Sequence, residues 1–402
     1  MSVRDVIIVG AGPSGLSAAI AAKQRNLDYV VVEQGVLVNS IYRFPPQMVF
    51  FTTPELLEIG GLPFVSPFDK PTRAEALRYY RKVVDTYDLQ IAYDEKVMAI
   101  DREAADASSE SSGSSESSGS SGSGGSSGSG HSGEGHEGSD GPIFTLTTRS
   151  SRGVQRVRHA RNVIMAIGYY DHPVMIGVPG EDLPHVHHYY GEPHPHYQQR
   201  VVIVGGGNSA AESALEMYRA GARVTIVHRA PALKKTIKYW VRPDIENRIK
   251  EGSIAARFNA CITAIRPNSV VVRSTGASAG QLVGSGPHDE AIVPGSQNQD
   301  TAIDPSIAAR TVGDAGQEEE IPADSVYLLT GYRTDTDLLC RAGVALNDRS
   351  APVYDPQTFE TNVPGLFVAG GAVAGIDTGT IFIENGRFHG ERIIDVIARR
   401  VA

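Results

Sequence analysis

Short apolar runs alternate with a helix-like segment in the first 35 residues of the chain. The run Val6–Val9 is followed by glycines at positions 10, 12 and 15, by an alanine-rich segment that ends near Gln24, and by a second apolar run, Tyr29–Val32. Continuous apolar runs of this length are typical of buried parallel strands. The pattern therefore predicts a strand, a glycine turn, a helix and a strand, and Glu33 ends the second strand.

The glycine spacing G-x-G-x-x-G after a strand is typical of a dinucleotide-binding turn. Gly10 would permit the tight turn, Gly12 would let the backbone approach a pyrophosphate, and Gly15 would let the helix pack on the strand. The first amides of the helix would then face the anion. Glu33 can accept hydrogen bonds from a ribose diol, and Pro13, Ser14 and Gln34 complete this candidate site.

A second unit of the same kind begins at the apolar run Val201–Val204. Its glycine turn contains Gly205, Gly207, Asn208, Ser209 and Ala210. A helix is predicted from about 209 to 220, followed by a strand that ends on His228 and Arg229, with Lys234 and Lys235 just beyond.

The two strand ends differ in charge. Glu33 would repel a 2′-phosphate and suits a free ribose, whereas Arg229 can bind a 2′-phosphate through two hydrogen bonds. We therefore predict FAD at the first site and NADPH at the second, with His228, Arg229 and Lys234 in the NADPH site. The alternative for the second site is an ordinary solvated basic turn.

The remaining elements complete an α/β fold with two Rossmann-like dinucleotide-binding domains, the second inserted in the first. A helix is predicted at Arg73–Tyr87, with Thr72 and Glu75 at capping-box spacing. Further strands are predicted at Gln90–Tyr93, Lys96–Ile100, Ile143–Thr148, Val163–Gly168, Val326–Tyr332 and Leu366–Gly371, and a closing helix from about Ile381 to Arg399. Glycines that end three of these strands are further cofactor candidates: Gly168, Gly331 and Gly370. The predicted FAD domain is 1–184 plus 335–402, and the predicted NADPH domain is 198–334.

Two polar stretches interrupt this pattern, at about 107–141 and about 274–316. The first is almost wholly Ser, Gly, Glu and His, a composition that cannot bury enough apolar surface to offset the entropy of ordering. We predict a disordered insertion there. Strand-like sequence resumes directly after it, which favours a hairpin tip over a domain boundary. The second stretch also interrupts its unit where a hairpin tip is expected.

Composition excludes several functions. The net charge of −9 comes with no dense Lys/Arg cluster, so nucleic acid is not an expected partner. No run approaches about 18 apolar residues and no signal peptide precedes the first strand, so we expect a cytoplasmic protein without a membrane partner.

Cys261 and Cys340 lie far apart and form no C-x-x-C pair. The histidines at 185, 187, 188, 194 and 196 match no zinc spacing, so no metal is predicted.

Four peptides carry a resemblance to a known family. The order of an FAD fingerprint, an NADPH fingerprint and a glycine-ended strand resembles flavoprotein reductases related to thioredoxin reductase. The peptides 180–185, 192–195, 238–249 and 382–390 are similar to those of YpdA-type bacillithiol disulfide reductases. The resemblance implies an enzyme that uses FAD and NADPH to reduce a low-molecular-weight disulfide, and a homo-oligomer, either dimer or tetramer. By analogy, the amides of Thr378 to Ile381, at the start of the last helix, would face the flavin, which makes Thr380 and Ile381 candidates.

The chain departs from that family at two positions. Many members have a cysteine where this chain has Ser14, and a serine cannot form a mixed disulfide. Ser14 is therefore either a loop residue with no chemical role, the interpretation we favour, or a hydrogen-bond donor near the flavin. Gly371 stands where relatives usually have an aspartate. Open alternatives for the acceptor are a ferredoxin, a flavodoxin or a quinone, and a non-catalytic FAD/NADPH redox sensor is the alternative to an enzyme.

Overall fold

The computed structural model describes residues 3–102, 143–275 and 316–401. Its strands are, in chain order, β1 Val3–Val9, β2 Tyr29–Val32, β3 Ile91–Ala92, β4 Lys96–Arg102, β5 Phe144–Arg149, β6 Gln155–Met165, β7 Val186–His187, β8 Arg200–Val204, β9 Arg223–His228, β10 Ala255–Phe258, β11 Ala260–Arg266, β12 Ser269–Ser274, β13 Glu318–Pro322, β14 Ser325–Leu328 and β15 Leu366–Val368. Its helices are α1 Pro13–Gln24, α2 Asn39–Tyr42, α3 Arg73–Tyr87, α4 Asn208–Arg219, α5 Arg242–Lys250, α6 Thr336–Arg341, α7 Ile383–Gly386 and α8 His389–Val401.

A seven-stranded sheet holds the first glycine turn. Its order is β3-β2-β1-β6-β5-β4, and β15 pairs with the carboxyl end of β6. The strands β3, β2, β1, β6 and β15 are parallel, whereas β4 and β5 form an antiparallel hairpin with β6. The apolar residues 6–9 of β1 and all of β2 are buried, and α1 and α8 cover one face of the sheet at these strands. The position of Gly390 fixes this packing, since an added Cβ there would overlap the backbone of Ala18 in α1.

A second sheet holds the other glycine turn. It is all parallel, with the order β10-β9-β8-β14-β7, and α4 packs on it. A separate antiparallel sheet, β11-β12-β13, covers its other face with the apolar side chains of Ile262, Val270 and Val272. The predicted two-unit α/β architecture is thus present as one mixed sheet with a parallel core and one all-parallel sheet, although the domain limits given above stay a prediction.

The predicted β-α-β units and the helix at 73–87 are confirmed. Thr72 caps that helix, because its hydroxyl accepts from the Glu75 amide while the Glu75 carboxylate accepts from the Thr72 amide. The hairpin positions are also confirmed. Arg102 pairs with Phe144 across β4 and β5, and Arg273 pairs with Glu318 across β12 and β13. Most of each polar stretch lies outside the described residues, so the predicted disorder stays a prediction.

The prediction of one closing helix from Ile381 to Arg399 is wrong. The segment forms α7 and α8, with a turn at Arg387 and Phe388 between them. The Arg387 guanidinium donates to the carbonyls of Glu55 and Glu58, at 2.8 and 2.6 Å, and this contact holds the turn in place. Thr378 to Ile381 lie before α7, in a turn at 378–379 and the two residues after it, and not within the first turn of a helix. None of the helices in the described parts of the chain has the length and apolar character of a membrane span.

Candidate functional site

The carboxyl ends of the parallel strands of both sheets open into one cavity of about 2500 Å³. Most of the predicted site residues line it: Gly10, Gly12, Pro13, Ser14, Glu33, Gln34, Gly168, Gly205, Gly207, Asn208, Ser209, His228, Arg229, Lys234, Gly331, Thr380 and Ile381. Gly15, Ala210 and Gly370 do not line it, since they pack behind the loops that do. Residues from both halves of the chain are thus brought to one site.

The first glycine turn has the shape that its three glycines imply. Gly10 has φ +106°, and an added Cβ would lie 2.5 Å from the carbonyl oxygen of Ala166. A Cβ on Gly15 would overlap the carbonyl of Gly10, so α1 can approach β1 only with glycine there. By contrast, a Cβ on Gly12 would meet nothing within 4 Å. The backbone at Gly12 is therefore open to a ligand, as a pyrophosphate site requires.

Glu33 is held rigidly at the end of β2. It is only 5% exposed, and its two oxygens accept from the amides of Ala11 and Gly35, each at 2.8 Å. Burial raises the pKa of Glu33, and these two hydrogen bonds oppose that rise. Each carboxylate oxygen keeps a second lone pair, so Glu33 can still accept from ribose hydroxyls. The side-chain amide of its neighbour Gln34 donates a 2.8 Å hydrogen bond to Asp171, which also lines the cavity.

Ser14 makes a structural contact. Its hydroxyl donates to the Gly386 carbonyl at 3.1 Å, and it fills the space where a Cβ on Gly370 would lie. Gly370 has φ +61°, which also favours glycine there. The hydroxyl thus joins the first glycine turn to the carboxyl-terminal segment. This contact supports the interpretation of Ser14 as a loop residue without a chemical role, which stays a prediction.

The Tyr169 ring occupies the space beside Gly371. An added Cβ on Gly371 would lie 2.7 Å from the Tyr169 ring. Burial raises the pKa of the Tyr169 phenol, and the ring lines the cavity. A larger side chain such as the aspartate of relatives would therefore require the Tyr169 ring to move.

The second glycine turn repeats the first. Gly205 has φ +150°, and an added Cβ would lie 2.5 Å from the Leu329 carbonyl oxygen, whereas Gly207 is open to the cavity. The Asn208 side chain holds the following loop, because it accepts from the Lys238 amide at 2.8 Å and donates to the Thr236 carbonyl at 3.2 Å.

His228 carries an unpartnered nitrogen at the base of this second turn. The residue is 8% exposed, it lies against Gly206, and among the described residues its Nε2 has no hydrogen-bond partner. Burial lowers its pKa to about 4, and the charges of Lys234 and Arg229 add to this effect. A neutral imidazole beside two cations fits a ligand that brings negative charge and hydrogen-bonding oxygens. The residues present therefore fit NADPH at this turn.

Sequence reasoning missed the contacts between the two halves of the chain. We call residues 43–70 the bridging segment. Arg43 pairs with Asp171 at 2.7 Å and lies 4.6 Å above the Tyr189 ring, so it contacts the segment that leads from the first unit to the second. Gln47 donates to Glu216 of α4, and Lys70 lies 3.7 Å above the Trp240 ring. These contacts hold the two glycine turns around one cavity. The partners lie far apart in the sequence, so no spacing pattern could have predicted that they meet.

His389 was also missed. Its Nδ1 accepts from the Gly370 amide at 3.1 Å, and its ring stacks on Phe359 at 4.2 Å. Burial lowers its pKa to about 4.

The histidines at 185–196 mostly have protein partners; for example, His196 Nε2 lies 2.7 Å from the Tyr327 hydroxyl. In the ranges that the structure describes, no group of three or more His, Cys, Asp or Glu side chains could hold a metal ion.

Known proteins resemble this chain over most of its length. The family model described as pyridine nucleotide-disulphide oxidoreductase matches residues 7–114, 140–285 and 296–370. The bacilliredoxin reductase Bdr of Bacillus subtilis (strain 168) is 34% identical over 403 residues, which cover 100% of this chain and 99% of that protein.

Solved structures give the same result. The bacillithiol disulfide reductase Bdr (YpdA) from Bacillus cereus has a TM-score of 0.77 at 31% identity, over 99% of this chain and 100% of that one. The same enzyme from Staphylococcus aureus has a TM-score of 0.75 at 31% identity, over 100% and 99%. A thioredoxin reductase from T. acidophilum has a TM-score of 0.62 at 19% identity, over 99% and 98%, which shows the fold alone. The predicted fold class is confirmed.

Proposed function

The chain belongs to the pyridine nucleotide-disulphide oxidoreductase family, whose members use a flavin and a nicotinamide nucleotide, and we propose that it passes hydride from NADPH through FAD to a low-molecular-weight disulfide. The predicted resemblance and the prediction of an oxidoreductase are confirmed by the full-length relatives. One observation carries the proposal. The two glycine turns open into the same cavity, together with Glu33 after the second strand of the first unit and Arg229 after the second strand of the other unit.

We assign FAD to the first turn and NADPH to the second. The open backbone at Gly12 would receive the FAD pyrophosphate, and Glu33 would accept from the adenosine ribose. Arg229 and Lys234 would bind the 2′-phosphate of NADPH, which distinguishes it from NADH. His228, whose Nε2 has no partner in the described parts of the chain, would donate from that nitrogen to a ligand oxygen at the same turn.

When bound, NADPH supplies a hydride, FAD accepts it, and the reduced flavin supplies two electrons to the acceptor. For this transfer the protein would have to hold the two rings close together and exclude water. The bridging segment would provide this positioning, since Gln47 and Lys70 contact the second unit through Glu216 and Trp240. A disulfide would have to be reduced by the flavin directly, because Ser14 offers no thiolate, Cys340 does not line the cavity, and Cys261 lies near Arg229 at the end assigned to the adenosine ribose.

The substrate that we propose is a bacillithiol-type disulfide, since the similar structures from B. cereus and S. aureus are named for it. Ser14 favours a second candidate, reduction of a quinone or of a ferredoxin or flavodoxin, for which no loop thiol is needed. A distant relative from Ignicoccus hospitalis, 23% identical, is named a ferredoxin--NADP reductase. A homo-oligomer and a cytoplasmic location stay predictions.

Anaerobic addition of NADPH to the purified protein tests the proposal. We expect rapid loss of the flavin absorbance near 450 nm with NADPH and much slower loss with NADH. A panel of bacillithiol disulfide, a quinone and a ferredoxin then identifies the acceptor by the return of the colour. Bound flavin that NADPH leaves oxidised would refute the reductase and favour the sensor, whereas reoxidation by quinone alone would favour the second candidate.

A further inference from the structure

Cys261 lies in the wall of the cavity, at the end that holds Arg229. It is an exposed residue at the start of β11, and it lines the cavity together with Asn259 and Thr275. Arg229 is close enough for its charge to lower the pKa of the thiol, although burial raises that pKa more. The mechanism proposed above gives Cys261 no role.

Two buried polar atoms at this end have no hydrogen-bond partner among the described residues. One is His228 Nε2, on a side chain that is 92% buried, and the other is Thr275 Oγ1. The residues that carry them, His228 and Thr275, line the same cavity as Cys261, and Thr275 directly follows β12, which pairs with β11. Buried polar groups are rarely left unpaired, so a polar ligand is expected in the cavity that Cys261 also lines.

The position of Arg229 identifies which end of the nucleotide this is. In a dinucleotide-binding unit, the end of the second strand contacts the adenosine ribose, and Arg229 directly follows β9. Cys261 thus lies at the adenosine end of the site, far along the nucleotide from the reacting nicotinamide. This step rests on the proposed function of the second turn.

We propose that Cys261 is a thiolation site at the adenosine end of the NADPH pocket, and that a mixed disulfide on it excludes the nucleotide. The thiolate attacks a low-molecular-weight disulfide, RSSR, which is the proposed substrate. The R–S–S–R bond breaks, a Cys261–S–S–R bond forms, and RS⁻ leaves and takes a proton from water. Excess disulfide would therefore slow its own reduction, and a free thiol would reverse the block.

Alkylation followed by mass spectrometry tests the location of the thiol. Cys340 is the matched control, because it is also exposed but lies on α6 and does not line the cavity. With iodoacetamide, NADP⁺ at about ten times its dissociation constant should slow labelling of Cys261 about tenfold, as expected for protection by occupancy. Labelling of Cys340 should not change.

Thiolation itself is tested with bacillithiol disulfide and, in parallel, glutathione disulfide. The wild type and Cys340→Ala should gain the adduct on Cys261 and lose NADP⁺ binding in calorimetry, and dithiothreitol should restore it. Cys261→Ala should keep the same NADP⁺ affinity before and after disulfide treatment. Equal labelling of Cys261 with and without bound NADP⁺ would overturn the inference and leave the proposed function intact. Absence of NADP⁺ binding to the untreated wild type would overturn both.

Discussion

His389 should make the stability of the protein fall as the pH falls from 6.5 to 4. Burial lowers its pKa from 6.5 to about 4, so the unfolded chain binds a proton in this range that the folded chain excludes. Stability is then lost as the pH falls, at up to about 1.4 kcal/mol per pH unit. The loss amounts to about 2 kcal/mol at pH 5 and about 3 kcal/mol well below pH 4. Protonation would also remove the acceptor of the Gly370 amide.

The variant His389→Asn isolates this effect. Its side-chain oxygen can accept from Gly370, but it does not titrate. We expect the urea-unfolding free energy of the variant, measured between pH 7 and pH 5 with flavin in excess, to fall by about 2 kcal/mol less than that of the wild type. The matched control is His194→Asn, which makes the same substitution at an exposed histidine. Equal pH dependence in His389→Asn and the wild type would refute the reasoning.

Three further predictions concern the site and the hairpin. Arg229→Ala should raise the Michaelis constant for NADPH but not for NADH, by a factor that corresponds to about 1–3 kcal/mol of lost charged hydrogen bonds. The control is Lys235→Ala, because Lys235 does not line the cavity. An equal effect on both nucleotides would contradict the assignment of NADPH. Deletion of Ser108 to Ser139 should leave flavin content and NADPH oxidation nearly unchanged, because Arg102 and Phe144, on either side of the deletion, are already paired across β4 and β5. Loss of bound FAD would show that the deleted segment is a functional element. Without a loop thiol, a disulfide must react with the flavin directly, so wild-type turnover of bacillithiol disulfide should be weak beside quinone reduction, and Ser14→Cys should raise it. Robust wild-type turnover that persists after alkylation of both cysteines would show that direct reduction by the flavin is efficient.

The sequence predicted those parts of the fold that depend on neighbouring residues. The glycine turns at Gly10 and Gly205 follow from local spacing, and their positive φ angles confirm why glycine is needed there. The hairpin tips followed from polar stretches between apolar runs. The cap at Thr72 followed from the glutamate three residues later. In each case the residues that form the feature lie within one turn or one strand pair.

The parts that were missed depend on partners far away in the chain. The turn between α7 and α8 is fixed by Arg387 at the carbonyls of Glu55 and Glu58, more than 300 residues earlier. His389 resembles any histidine on an amphipathic helix until Gly370 and Phe359 are placed beside it. Helix periodicity alone cannot show such contacts, because they arise from tertiary packing.

The junction between the first glycine turn and the carboxyl-terminal segment has a consequence for synthesis on the ribosome. Ser14 bonds to a carbonyl 372 residues later, and Gly390 packs on Ala18. At typical elongation rates of 5–20 residues per second, about 20–75 s separate the emergence of the two partners. The strands and helix of the second unit, within 200–330, emerge during this interval and can pair at once. During this interval α1 and β1 are exposed to solvent on the side that α8 later covers. The apolar face of α1 is then most available to a chaperone.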